Sequence, residues 1–174
     1  MLTRKTASAA ALMAAGVLLL SACTYPGPNP AKFGYRKAQG GGIVVAYPLC
    51  PGDTVYGAKI SVRVNERDFD FKTLWQAEEP ASKRVEAGTF SVGTGESFHM
   101  VKRALKGKPP SGFYVEVVEI RDGKQVDGRD GWIDLKRLTS ASLKSDEFMT
   151  HEGEVMTRHQ IDAQLNCHSS SPKA

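Results

Sequence analysis

Phe113-Tyr114-Val115-Glu116-Val117-Val118-Glu119-Ile120-Arg121-Asp122-Gly123-Lys124-Gln125-Val126 is the stretch that decides the fold class. Asp-Gly between two apolar-rich arms is a type I′ hairpin signature, because both central residues of that turn take positive φ. Within the first arm Val115 and Val117 share one parity, whereas Val118 and Ile120 take the other. One extra residue shifts apolar parity in this way, so a β-bulge is expected near Val117-Val118. A strand buried on both faces is the alternative, and Glu116 and Glu119 argue against it. The return arm is interrupted at Gly128 and Gly131 and resumes as Trp132-Ile133-Asp134-Leu135.

The same alternation extends outward from the hairpin. Ile43 to Tyr47 is a short apolar run that Pro48 ends, and Ile60, Val62 and Val64 face opposite Lys59, Ser61, Arg63 and Asn65. Asp68 to Lys72 leads into Leu74-Trp75, and Thr89 to Val92 and Ser97 to Met100 repeat the pattern. Such segments are half-buried antiparallel strands, one face on a core and one in water. After Leu138 the strand signal fades. Thr157-Arg158-His159-Gln160 has capping-box form, with Ile161 and Leu165 on one helical face, so a short C-terminal helix is expected to end at Asn166. About seven short strands with helix only at the end predict an all-β fold, a small antiparallel β-sandwich, immunoglobulin-like in broad class. Trp75 suits its core, although Cys167 lies beyond the last strand and breaks the Cys-Trp-Cys spacing of antibody domains. A small β-barrel is the alternative.

The chain has 174 residues, the size of one ordinary domain. Its 17 Gly and 9 Pro point to many turns, and 24% charged residues exclude wholesale disorder. Apolar residues crowd the front, where they fill fifteen of the first 22 positions. Arg4-Lys5 is followed by an uncharged run, Thr6 to Leu20, which is shorter than the ~20 residues a transmembrane helix needs and has the size of a secretory h-region.

Leu20-Ser21-Ala22-Cys23 closes that run and resembles the lipobox of bacterial lipoproteins, aliphatic-small-small-Cys. The resemblance covers only these first residues. It implies cleavage after Ala22, diacylglycerol on the Cys23 sulfur and often a further acyl chain on the new amine. The organisation expected from it is a signal peptide at 1–22, a lipidated Cys23 with a Pro/Gly-rich tether over 23–42, one β-rich domain at 43–167 and a disordered tail at 168–174. Thr24 to Gly42, as a random coil, spans about 25 Å on average, enough to hold a domain clear of headgroups. Two acyl chains anchor stably where one does so marginally, so the expected location is a membrane surface, on the extracytoplasmic side. Arg4-Lys5 favours general secretion over twin-arginine export. Thr24 stands where some Gram-negative lipoproteins carry the Asp of inner-membrane retention.

Loss of the leader leaves 21 basic against 19 acidic residues, a balance too even for a dedicated nucleic-acid binder. With Cys23 acylated, Cys50 and Cys167 remain as an even pair in an oxidising location, which reads as one disulfide. A metal site on Cys167-His168, or two free thiols, are the competing readings.

No catalytic constellation is legible. The G-x-S-x-G of α/β hydrolases is missing from the sequence, and Val92 to Ser97 lacks the Gly-Lys-Ser/Thr of a phosphate loop and reads as a turn. His151-Glu152-Gly153-Glu154-Val155 has Val where a zinc protease needs its second His. Asp122, Asp127, Asp130 and Asp134 cluster around glycines without the alternation of a calcium loop and read as a solvated hairpin. Lys102, Arg103, Lys106 and Lys108 form a basic run that reads as a solvated loop, with contact to anionic lipid as the alternative. No cofactor is expected. The leading expectation is a non-catalytic binding or scaffolding module that meets the membrane through Cys23 and another envelope protein through its folded body. The alternatives are an envelope hydrolase, with His99 beside Asp68 or Asp70 as the place to look, and a purely structural surface lipoprotein.

Overall fold

The computed structural model describes residues 31–38, 40, 42–65, 70–165 and 167. The expected signal peptide, Cys23 and the Pro-rich part of the tether lie outside these residues, as do Asp68, Asn166 and the tail at 168–174.

The described residues form two antiparallel five-stranded sheets that do not close, so the architecture is the β-sandwich rather than the barrel. In sheet A, β10 (Val155–Thr157), β9 (Glu147–Met149), β1 (Gly34–Lys37), β2 (Ile43–Ala46) and β5 (Thr89–Val92) lie side by side in that order. Sheet B has the order β6 (Phe98–Arg103), β4 (Phe71–Pro80), β3 (Thr54–Arg63), β7 (Gly112–Arg121) and β8 (Lys124–Asp134). Three short helices complete it: α1 (Lys83–Glu86), α2 (Leu135–Ser140) and α3 (Arg158–Asp162).

The hairpin forms where Asp122-Gly123 places it, with φ of 51° and 71° at the two turn residues and Arg121 opposite Lys124. The irregularity falls at the expected level, but the extra residues belong to the neighbours of β7. Glu116 pairs with Asp130 and Val118 with Asp127, so β8 carries one residue more over this interval. On the other side Val55 pairs with Glu119 and Gly57 with Val118, which leaves Tyr56 as the extra residue of β3. Because β7 itself is regular, its inward set stays Phe113, Val115, Val117 and Glu119, and a carboxylate rather than Ile120 is drawn inside.

The main core lies between the sheets. Tyr35, Val45 and Phe90 from one meet Ile60, Trp75, Phe113, Val115 and Ile133 from the other, all essentially inaccessible. Each such side chain contributes about 1.5–3 kcal/mol through burial. β2 is buried on both faces, which explains its unbroken apolar run: Val44 and Ala46 turn away from the main core and pack with Phe148 and Ile161. Ile161 belongs to α3, which therefore covers the outer side of sheet A. Thr157 and Gln160 form the expected capping box. Regular helix ends at Asp162, short of Asn166, and the chain continues through a turn at Leu165. The Arg158 guanidinium fastens α3 by donating to the carbonyls of Gly88 at 2.8 Å and Ala87 at 2.9 Å.

Several segments depart from the sequence-based expectation. The chain expected to be tether as far as Gly42 supplies β1, and Phe33 and Tyr35 are 3% and 0% exposed. Tyr35 reaches across the sandwich, where its hydroxyl accepts from the Asp134 N–H at 3.3 Å. The Gln164 side chain accepts from the Lys32 N–H at 2.8 Å and donates to the Lys32 carbonyl at 3.0 Å, joining the entering chain to the departing one. Helix is not confined to the end: Asp134 stops β8 by capping α2, accepting from the N–H groups of Lys136 and Arg137, so Leu135 opens a helix instead of extending a strand. β9 and β10 are too short for alternation to reveal. Gly128 and Gly131 lie inside β8 rather than interrupting it. A Cβ on Gly131 would stand 2.7 Å from the Phe33 ring, and one on Gly128 2.7 Å from the Tyr47 hydroxyl, so bare backbone is what lets these aromatics close on the strand.

Candidate functional site

The outer side of sheet A is covered by α3, whereas the outer side of sheet B carries aromatic rings that remain exposed. Alternation sends Arg63, Ser61, Tyr114 and Trp132 to that side, and the registers align them: Arg63 opposite Phe71, Ser61 opposite Tyr114, Tyr114 opposite Trp132. Phe71 and Trp132 are 38% and 39% exposed. The Phe71 and Tyr114 ring centroids are 5.2 Å apart and perpendicular, and those of Tyr114 and Trp132 are 4.8 Å apart at 63°. The Arg63 guanidinium lies 5.7 Å from the Phe71 centroid. The strands that carry the row, β4 to β8, lie roughly 14 Å apart at the usual strand spacing, and the side chains lean together to bring the rings into contact. Gly112 sets the position of the indole, because a Cβ there would stand 2.3 Å from the Trp132 ring.

A row of polar side chains runs beside the rings, two residues along each strand. Glu116 follows Tyr114 and pairs with Asp130, which precedes Trp132 by two. Glu116 is satisfied within the sheet: Ser61 Oγ donates to it at 2.6 Å and Lys59 Nζ lies 2.7 Å from its other oxygen. The bulged β8 opens a cavity of about 320 Å³ here, into which Lys59, Gln76, Glu116, Asp127 and Asp130 converge. Asp127 and Asp130 have no hydrogen-bond or ion-pair partner among the described residues. Lys102, from the basic run, lies 3.6 Å from Glu78 nearby. The face thus combines rings, free acceptors and ion pairs that largely cancel in charge.

A second polar cluster is closed. Glu119, 1% exposed, accepts from the Tyr47 hydroxyl, receives Arg121 Nη2 at 2.6 Å and has Arg129 Nη1 at 3.8 Å. The Tyr47 oxygen in turn accepts from the Arg129 N–H at 2.9 Å. Burial, reinforced by the negative charge of Glu119, pushes the Tyr47 hydroxyl far above its ordinary pKa and keeps it a donor. Arg121 is held above its ordinary value by its hydrogen bond to Glu119. This cluster braces β2 against β7 and β8 and is not open to a ligand.

Cys50 and Cys167 are bonded, with Cα atoms 5.5 Å apart across a separation of 117 residues. Beside them an open cavity of about 530 Å³ is walled by Leu49, Pro51, Arg158 and Leu165. The Arg158 and Asp162 of its rim already satisfy each other at 2.7 Å. Arg103, Lys106 and Lys108 of the basic run edge a further cavity of about 360 Å³ together with Lys72.

The remaining candidates are dispersed. His99 is exposed on β6 between residues paired with Glu78 and Pro80, whereas Asp70 precedes β4 at its far end, about 30 Å away along extended strand. Asp122 lies in the hairpin turn and Asp134 caps α2, apart from Asp127 and Asp130. Glu152 and Glu154 of the region around His151 bind Lys32. Among the described residues no three His, Cys, Asp or Glu side chains gather to hold a metal, and no helix is long and apolar enough to cross a membrane. No family model, curated protein or solved structure matches the chain.

Sequence reasoning passed over Phe71, Tyr114 and Trp132 because they lie on three separate strands. The available signal was parity: Tyr114 stands between the inward Phe113 and Val115, and an aromatic on the solvent parity of a strand is out of place unless something covers or uses it.

Proposed function

We propose that the chain is a non-catalytic binding module of the cell envelope, lipid-anchored through Cys23 on the extracytoplasmic side, that docks its partner on the outer face of sheet B. The observation that carries the binding reading is the exposed row Phe71–Tyr114–Trp132, with Arg63 against it. Tyr, Trp and Arg are the side chains that dominate binding energies where they cluster, and contiguous exposed apolar surface marks interaction sites. The address rests on Leu20-Ser21-Ala22-Cys23, and a bonded Cys50–Cys167 pair is in keeping with an oxidising location.

The test is made in intact cells. Labelled palmitate is expected on the wild-type protein and not on Cys23→Ser, and crosslinking is expected to recover material with the wild type and not with Trp132→Ala. An unlabelled cytosolic band overturns the anchor. Equal recovery by Trp132→Ala overturns the docking face.

A further inference from the structure

We infer that the ligand of the outer face of sheet B is a neutral, hydroxyl-rich glycan chain; the inference rests on the reading of that face as a docking surface. Three features of the face specify this chemistry. The rings of Phe71, Tyr114 and Trp132 pack edge to face one after another across β4, β7 and β8, and the outer two stay 38% and 39% exposed. A pyranose presents a C–H face to an aromatic ring, so a line of rings suits a chain of sugars.

The second feature is the parallel polar row. Asp127 and Asp130 are exposed acceptors without a partner among the described residues, edging the same cavity as Gln76. Ring hydroxyls are donors and fill such acceptors, whereas an anionic polymer meets repulsion there. The third is charge. Lys59–Glu116 and Lys102–Glu78 are internally paired, so the face lacks the single-signed field that would select a polyelectrolyte. A protein partner is less well matched. Protein interfaces place an apolar centre inside a polar rim with charged groups depleted at the centre, while here Glu116 and Asp130 stand only two residues along the strands from Tyr114 and Trp132.

The two tryptophans make the test direct, since Trp75 is 1% exposed and Trp132 is 39% exposed. The full mature chain is titrated with chitohexaose, cellohexaose and maltohexaose while tryptophan emission and acrylamide quenching are followed. At least one oligosaccharide is expected to shift the emission saturably and to shield Trp132 from acrylamide. Calorimetry should find affinity lowered about tenfold or more by Trp132→Ala and by Tyr114→Ala, and lowered by Asp130→Asn. The melting temperature should be unchanged for Asp130→Asn, Trp132→Ala should remain folded with both sheets intact by circular dichroism, and raising salt should leave the affinity nearly unchanged.

Absence of saturable binding to all three oligosaccharides overturns the inference. If crosslinking in cells then still recovers a protein in a Trp132-dependent way, the docking face stands and only its ligand class was wrong. If neither is found, the docking face falls with it. Oligosaccharide binding that survives Trp132→Ala and Tyr114→Ala also overturns the inference, because it places the sugar elsewhere.

Discussion

The Tyr47 hydroxyl donates to the Glu119 carboxylate between the two sheets, and its oxygen accepts from the Arg129 N–H at 2.9 Å. One phenol therefore joins the end of β2 to both strands of the β7–β8 hairpin. Removing the phenol oxygen leaves the Arg129 N–H without its acceptor and Glu119 Oε1 without its donor.

Tyr47→Phe is expected to lower unfolding stability by about 1–3 kcal/mol, the cost of unsatisfied buried polar groups. Glu119→Ala should cost about as much or somewhat more, because it leaves the buried Tyr47 hydroxyl without its acceptor and opens a cavity, while Arg121 keeps Asp53 and Arg129 keeps the Pro48 carbonyl. Urea denaturation of the two variants and the double variant checks both. Coupling should make the double variant less than additive. Unchanged midpoints would show that the cluster does not brace the fold.

The Cys50–Cys167 bond closes a separation of 117 residues. Chain entropy assigns about 4–5 kcal/mol to a loop of this size. Cys50→Ala/Cys167→Ala is expected to lose a large part of that in denaturant titrations. Thiol labelling of the denatured, unreduced mature protein should find no free cysteine. Two reactive thiols would contradict the pairing.

Lys32 Nζ lies 2.7 Å from Glu154 and also binds Glu152, fixing the entering chain to the β9–β10 turn. Its hydrogen bonds to these carboxylates raise Lys32 above its ordinary 10.5, and the bond to Lys32 lowers Glu152 below its ordinary 4.5. A depressed acid contributes stability above its unfolded value and loses it as pH falls through the folded one. A raised base contributes below its unfolded value and loses it as pH rises through the folded one. The melting-temperature difference between wild type and Lys32→Met should therefore be constant across neutral pH and vanish towards strong acid and strong alkali. A difference that persists in strong acid would assign the effect to packing of the lysine stem instead.

Gly131→Ala places a methyl where the Phe33 ring lies, and a Cβ would stand 2.7 Å from it. Backbone and ring must part, at about 1–3 kcal/mol for overpacking. Phe33→Leu should recover part of the loss in the same thermal melts. Destabilisation by Gly131→Ala with no relief from Phe33→Leu would locate the strain in the backbone of β8.

The hairpin was legible because Asp122-Gly123 is a local code: two residues determine the turn, and the turn sets which strands pair. Thr157 and Gln160 announce α3 in the same local way. Glu119 was not legible, since apolar parity pointed to Ile120, and the bulges that keep Glu119 inside belong to β3 and β8, strands far away in the chain. β1 escaped notice because four residues between prolines and glycines show little periodicity, and what orders them is Tyr35 in a core assembled from elsewhere. The aromatic row needed both the alternation, which was readable, and three registers, which were not. Phe71, Tyr114 and Trp132 become neighbours only once β3 has been placed between β4 and β7.

Gln164 grips the backbone of Lys32 on both its N–H and its carbonyl, at 2.8 and 3.0 Å. The β-sandwich is in this sense a nearly closed ring of chain. A short peptide joining Cys167 to Ala31, with new ends cut at Asp122-Gly123, should give a circular permutant that retains both sheets. Such a rearrangement would move the free ends to the tip of the hairpin and make the sandwich insertable as a cassette within another protein.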